Sequence, residues 1–137
     1  MRTRDQARQE ALDFINSYNA CFYKRDLDAL KALYSPQNFT KFWDNHPGCD
    51  SPDLEDHFGK VSTFFKTGKQ SESGTIEPLI VEDLHALAVG NTLLVTAILR
   101  YQSAPVPGVR STFALLKENG AWKAAHIHHS FDPNEAG

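Results

Sequence analysis

"NGAWKAAHIHHSFDP" (residues 119–133) carries the densest pattern in the chain, with three of its six histidines inside four residues. Asn119-Gly120 is the turn signal of a β-hairpin, and the residues after it alternate as a strand does. Successive strand side chains point to opposite faces. Trp122, Ala124, His126, His128 and Ser130 are therefore expected on one face, and Lys123, Ala125, Ile127, His129 and Phe131 on the other. A face packed under helices has to be apolar, and Ala125, Ile127 and Phe131 meet that need better than a His-His-Ser row. His129 is thus expected to point inward, and His126 and His128 outward. The register back into the preceding strand has two solutions. A two-residue turn pairs Glu118 with Ala121 and sets Arg110 opposite His129 on the concave face. A three-residue loop bulged at Gly120 sets Arg110 opposite His128.

Upstream of this hairpin the period stays extended back to about residue 75. Strands are expected at Thr75–Val81, Leu84–Val89, Thr92–Gln102, Val109–Lys117 and Ala121–Phe131, with Gly90-Asn91, "SAPVPG" and Asn119-Gly120 between them. Before "TGKQSESG" the period is helical. Ala11, Phe14, Ile15, Tyr18 and Phe22 form an amphipathic stripe over about Asp5–Lys24. Asp26 stands as N-cap of a second helix carrying Leu27, Leu30, Leu33 and Tyr34, which Pro36 stops. "SPDLED" opens a third, with Ser51 as N-cap, Pro52 at the first position and Gly68 as the stop. Three helices followed by a meander predict an α+β fold in which the helices cover one face of an antiparallel sheet.

A chain of 137 residues is expected to form one domain, residues 1–137, around a single core. A net charge of −3 argues against a nucleic-acid or anionic-membrane footprint, which needs clustered Lys and Arg. "MRTRDQARQE" is too charged to open a secretory signal, and no apolar run approaches the roughly 20 residues of a membrane span. Cys21 and Cys49 have no CxxC spacing and read as free thiols, so the cytoplasm is the expected compartment.

"YNACFYKRDLDALKALYSPQNFTKFWDNHPG", the capped third helix, the strands and the closing "W…HxHxS" resemble, in this order and over nearly the whole length, the nuclear transport factor 2-like superfamily. That superfamily includes ketosteroid isomerase, the SnoaL-like polyketide cyclases and the association domain of the calcium/calmodulin-dependent protein kinase. The closing strand is most similar to the association domain. The resemblance implies a cystatin-like cone, a strongly curved antiparallel sheet wrapped by three helices around a cavity. It also implies pairing of two copies through the outer sheet face, where Trp122, His126 and His128 are expected. It selects no single activity, because the fold hosts isomerases, cyclases, dehydratases, carriers and oligomerisation modules.

Ketosteroid isomerase uses a carboxylate base and a hydroxyl that holds the developing enolate oxygen. By resemblance Tyr18 takes the place of the hydroxyl donor, and Asp44 in "FWDNHP" that of the base, with His46 as its rival. A second oxyanion acid would fall among Val109–Phe113, where no acid exists, which counts against steroid isomerisation. The association domain implies a polar pocket for a small carboxylate. There His57 matches a histidine early on the third helix, and His129 stands where that pocket has an arginine. Arg110 and Arg100 could add positive charge. Among the aromatic residues, Trp43, Phe65 and Tyr101 are expected at the cavity. Catalytic candidates are therefore Asp44, Tyr18 and His129, and ligand-binding candidates His57, Arg110, Tyr101, Trp43 and Phe65.

The function so expected is binding of a small acidic or carbonyl-bearing molecule in a conical cavity. Any isomerase, cyclase or dehydratase chemistry there would be acid/base and need no cofactor. A non-catalytic dimerisation module is the alternative. A metal enzyme ranks third: His126 and His128, about 7 Å apart on one face, could share a zinc ion, but nothing in the sequence forces a third ligand.

Overall fold

Thr3 opens the first helix, α1 (Arg4–Lys24), in the computed structural model, which describes residues 3–44, 47–67, 79–102 and 104–135. The Thr3 hydroxyl accepts from the Gln6 N–H at 3.1 Å, and the Gln6 side chain accepts from the Thr3 N–H at 2.9 Å. This reciprocal cap satisfies two donors that the helix itself leaves free. Ala7, Ala11, Phe14, Ile15, Tyr18 and Cys21 are buried along one stripe, as the spacing demands. Arg25 ends the helix in the left-handed conformation, and Asp26 accepts from the Ala29 N–H at 3.0 Å to start α2 (Leu27–Lys31).

The third helix, α3 (Leu54–Thr67), starts later than "SPDLED" suggests. Asp53 is its cap, accepting from the Asp56 N–H at 2.9 Å. Ser51 is not available for that role, because its backbone pairs in both directions with Lys41. Gly68 lies outside the described residues.

Five strands form one sheet in the order β1-β5-β4-β3-β2. They are β1 (Thr40–Trp43), β2 (Leu79–Val89), β3 (Thr92–Tyr101), β4 (Val109–Glu118) and β5 (Ala121–Phe131). Where two strands are expected at Thr75–Val81 and Leu84–Val89, the described part is one strand. Its register slips between Glu82 and His85, with Asp83 at φ 49°, so the apparent gap is a bulge. Residues 75–78 lie outside the described residues. The edge strand β1 is not anticipated at all, and it runs parallel to β5 in an otherwise antiparallel sheet. Four residues are too short to show a period. Its place is set by the segment before it, where Ala124 N–H donates to Leu33 O at 2.8 Å and Ser35 N–H to Ala124 O at 2.9 Å.

The β4–β5 turn is the two-residue solution: Glu118 pairs with Ala121, and Asn119 and Gly120 take φ of 53° and 80°. The pairing then slips, with Leu115 opposite Ala124 but Ala114 opposite His126, which leaves Ala125 unpaired. This bulge corrects two expectations. Arg110 falls opposite Ser130 and not His129, whose partner is Ser111. Arg110 is exposed on the outer face, so it does not line the interior. Trp122 shares the inner face with Ala124 and Ile127, and its indole N–H donates to Glu10 on α1 at 3.2 Å. It therefore leaves the outer face on which dimerisation through Trp122 was expected.

Helix α1 packs on the inner face of β2 and β3. Phe113 on β4 meets Phe14 and Tyr18 edge-on, with ring centroids 6.2 and 5.5 Å apart. Among the described residues no helix is long and apolar enough to cross a membrane. The cap assignment is checked by Asp53→Ala. Loss of an N-cap side chain should lower stability in urea unfolding by about 1 kcal/mol, with the unfolding slope unchanged.

Candidate functional site

Strand β1 sets two rows of side chains. Thr40, Phe42 and Asp44 form the outer row. The Thr40 hydroxyl lies 2.7 Å from His126 Nδ1, the Phe42 ring lies 5.5 Å from that of His128, and Asp44 Oδ1 lies 2.9 Å from His128 Nε2. The opposite parity belongs to Phe39, Lys41 and Trp43, and it faces the helices. Phe39 packs on His57 with ring centroids 4.9 Å apart, and Trp43 packs on His129 at 4.7 Å. Lys41 stands between them on the same row, and its charge acts on both histidines.

Each imidazole is fixed by one hydrogen bond and a ring cage. His57 Nε2 lies 3.0 Å from the Tyr34 hydroxyl, which is itself hydrogen-bonded to Tyr18. Phe39, Tyr34 and Phe58 surround it. His129 Nδ1 lies 2.6 Å from Ser111 Oγ, which also reaches Val109 O at 3.3 Å. When the single hydroxyl proton goes to that carbonyl, Ser111 accepts from His129 Nδ1–H and Nε2 keeps the lone pair. Trp43 and Phe113 enclose the ring.

Burial, then the nearby charges of Lys41 and Lys60, pushes His57 down to about 3 against an opposing pull from Asp56. Burial, then Lys41, His128 and His57, holds His129 well below its ordinary range. Lys41 is pushed down to about 8, again mainly by burial, with Lys60 adding to the effect and Cys49 opposing it. No hydrogen bond or ion pair joins its ammonium to another described residue. Tyr18 and Tyr34 are both raised, by burial first, and so keep their protons as donors. The result is a group of three bases each biased toward its neutral form, and Lys41 is the member that sequence reasoning missed. Recognising it required β1, the strand with no readable signal.

Of the residues expected from the sequence, Tyr18, Trp43, His57 and His129 gather on the inner side. Phe65 stands farther along the same aromatic chain, edge-on to Phe22 at 5.6 Å, and Phe22 in turn meets Tyr18 at 4.8 Å. Tyr101 is 52% exposed at the end of β3, near enough to raise Tyr18. Asp44 is a correction: its strand parity turns it outward onto His128, away from His129, so it is not placed as an interior base. His46 lies outside the described residues. Arg100 is on the outer side, paired with Glu82 and Glu135 at 3.0 and 2.9 Å.

Two hollows flank this interior. One, about 500 Å³, lies over β1 and is lined by Lys41, Phe42, Asp50, Ser51, His126 and His128 among others. The other, about 250 Å³, lies between α1 and Trp122. Among the described residues no three His, Cys, Asp or Glu side chains are grouped to hold a metal ion, so His126 and His128 gain no third ligand.

The SnoaL-like domain family matches this sequence over residues 11–133. Solved structures of the same fold include the CaMKII hub of S. rosetta, 21% identical, covering 90% of this chain and 95% of that one with a TM-score of 0.68. A candidate ketosteroid isomerase from Shewanella frigidimarina is 15% identical over 88% and 94%, with a TM-score of 0.68. A protein with a cystatin-like fold from Nostoc punctiforme is 10% identical over 93% and 92%, with a TM-score of 0.67. Comparison with curated proteins found no match.

The buried histidines fix a pH dependence. Unfolded histidine titrates near 6.5, whereas folded His57 and His129 titrate lower. Below about pH 6.5 the unfolded chain therefore takes up protons that the folded chain refuses. Stability is full above that pH and falls as pH drops below it, by up to about 1.4 kcal/mol per pH unit for each group, with the His57 share ending near its folded value of about 3. Urea unfolding from about pH 7 to about pH 4 should show this fall, and His57→Gln should make it shallower.

Proposed function

The chain belongs to the SnoaL-like domain family, and we propose that residues 1–137 act as a single domain binding a small acidic molecule between His57, Lys41 and His129. The observation that carries this reading is the basic cluster, in which Lys41 acts on both histidines and burial disfavours every charged form. An amine and two imidazoles set among aromatic rings cost free energy when charged alone, and an anion removes that cost. A carboxylate would accept from Lys41 and from whichever imidazole takes a proton, with the Tyr34–Tyr18 pair donating behind His57. The same groups suit cofactor-free proton transfer next to a carbonyl, with neutral His129 as base and a tyrosine hydroxyl as donor to the developing oxygen.

A second reading concerns assembly. The outer sheet face carries an apolar row, Leu87 opposite Leu94 and Leu94 opposite Ala114, next to exposed Val89. Exposed patches of this kind mark interaction surfaces, and a neighbour of the same fold is a kinase hub. This favours a homodimer through the outer sheet, a face that does not compete with the basic cluster.

Two experiments separate these readings. Acetate and succinate should raise the melting temperature of the wild-type protein, and Lys41→Met should abolish that response. Lys41→Met should also melt higher than wild type without ligand. The sign follows from a folded pKa of about 8 against 10.5 for free lysine: below 10.5 the folded state increasingly penalises the charged amine, and methionine removes the penalty. A variant that keeps the full carboxylate response would end the binding reading. For assembly, Leu94→Asp should convert a sedimenting dimer to monomer while leaving the acetate response intact.

A further inference from the structure

We propose that the hollow over β1 binds a small organic ammonium ion, whose apolar body packs on Phe42 and whose N–H groups are held by Asp50 and His128. The site is separate from the interior cluster and does not rest on the carboxylate reading.

Strand parity builds it. The Lys41 backbone pairs in both directions with Ser51, so the 50–52 segment runs beside β1 on the side away from β5. The neighbours of that pair, Thr40 and Phe42 on β1 with Asp50 and Pro52 across from them, then share the outer face with His126 and His128 on β5. These six line the hollow, whose volume of about 500 Å³ suits a small molecule. It lies at the β1 end of the sheet, with β4 between it and the exposed Leu87 and Leu94 on β2 and β3.

The polar wall groups are held from behind and keep an atom to spare. Asp50 Oδ1 accepts from the Trp43 N–H at 2.7 Å, and Oδ2 has no partner among the described residues. His128 Nε2 lies 2.9 Å from Asp44 Oδ1; the proton of this bond sits on Nε2, which leaves Nδ1 of the neutral ring as an acceptor. His126 is oriented in the same manner by the Thr40 hydroxyl at 2.7 Å. Ser51, 2% exposed, also borders the hollow. Its hydroxyl is close enough to act on Asp56 but completes no hydrogen bond among the described residues. Phe42 is 50% exposed, so its ring is open to a ligand.

Charge decides the sign of that ligand. Residues 44–56 carry five acidic side chains and no Lys or Arg. Lys60 is already engaged by the Asp50 carbonyl and by Asp56 at 2.9 Å. Lys41 borders the hollow, but its charge acts on His57 and His129, on the inner side. A carboxylate, an imidazole lone pair and an aromatic ring together suit a cation with N–H donors. The carboxylate gives a charge-assisted hydrogen bond, and the ring attracts the ammonium. An anion would meet Asp50 with no Lys or Arg on the outer row to offset it.

Phenethylamine is the probe, with 2-phenylethanol and 3-phenylpropionate as its neutral and anionic counterparts. Each is titrated into the protein at about pH 8, where free imidazole is neutral and an alkylamine is charged. Binding is read by NMR from the ring resonances of the individual histidines. The amine should move His126 and His128 saturably and leave His57 and His129 in place, with the alcohol and the acid at least about tenfold weaker at the outer pair. Asp50→Asn, which keeps an oxygen for the Trp43 N–H, should weaken the amine about tenfold, and Phe42→Leu about threefold. An alcohol as tight as the amine reduces the hollow to an apolar patch and overturns the proposal. Tighter binding of the acid at the outer pair overturns it too, as does movement of His57 or His129 by the amine in place of that pair, or no movement at millimolar amine. Amine affinity unchanged by Asp50→Asn has the same consequence. Should that variant not fold, unchanged affinity in Phe42→Leu, at an exposed position, decides in the same way.

Discussion

Ala125 has no partner on β4, and much of the interior follows from that one unpaired residue. Ala114 faces His126 and Leu115 faces Ala124, so the strand changes parity between two segments that each alternate regularly. On the near side of the bulge Trp122 and Ala124 turn inward. On the far side Ile127 and His129 do the same. An unbroken strand would have brought Arg110 beside His129 and added a permanent cation to a space already holding Lys41. The bulge supplies Ser111 in its place, a small hydroxyl that fixes the orientation of the imidazole and adds no charge.

That substitution of partners matters because the interior tolerates little charge. Lys41, His57 and His129 are all basic, and aromatic rings enclose the two imidazoles. Each is accordingly biased toward its neutral form, the histidines strongly. Along α1 and the inner sheet rows apolar residues fill the buried positions, and the caps of α1 and α2 are satisfied. Departures from the ordinary pattern are where function tends to reside. The outer histidines show the contrast. His126 meets Thr40, and His128 meets Asp44 and Phe42, all at the half-exposed surface. Neighbouring residues of one strand thus occupy two different chemical environments.

The parts of this arrangement that could be read from sequence are those with local, repeated signals. The stripe of α1, the Asp26 cap, the Asn119-Gly120 turn and the alternation from His126 to Phe131 each depend on residues a few positions apart. The inward side of His129 followed from that alternation, and His57 from its place on the α3 stripe. What could not be read depends on two strands at once. Bulges at Asp83 and Ala125 are visible only in the pairing, so the strand break near residue 83, the face of Trp122 and the partner of Arg110 were misplaced. β1 has too few residues to show a period. Without it Lys41 had no face, and Asp44 could be assigned only by resemblance.

The identity of the middle residue bears on how such a cluster can exist unliganded. An arginine in place of Lys41 would stay charged at any pH the fold survives and would need a standing counter-ion. Lysine can release its proton, so the three groups can lie together with little net charge. An arriving carboxylate reverses the balance, because its charge stabilises the protonated form of every base it touches. Binding an anion and gaining a proton are then coupled in this interior. Each strengthens the other by the same free energy, since linkage between two equilibria is reciprocal. Affinity in such a site depends on pH through Lys41 first, because its pKa lies nearest neutrality, and through the histidines only as the solution becomes acidic.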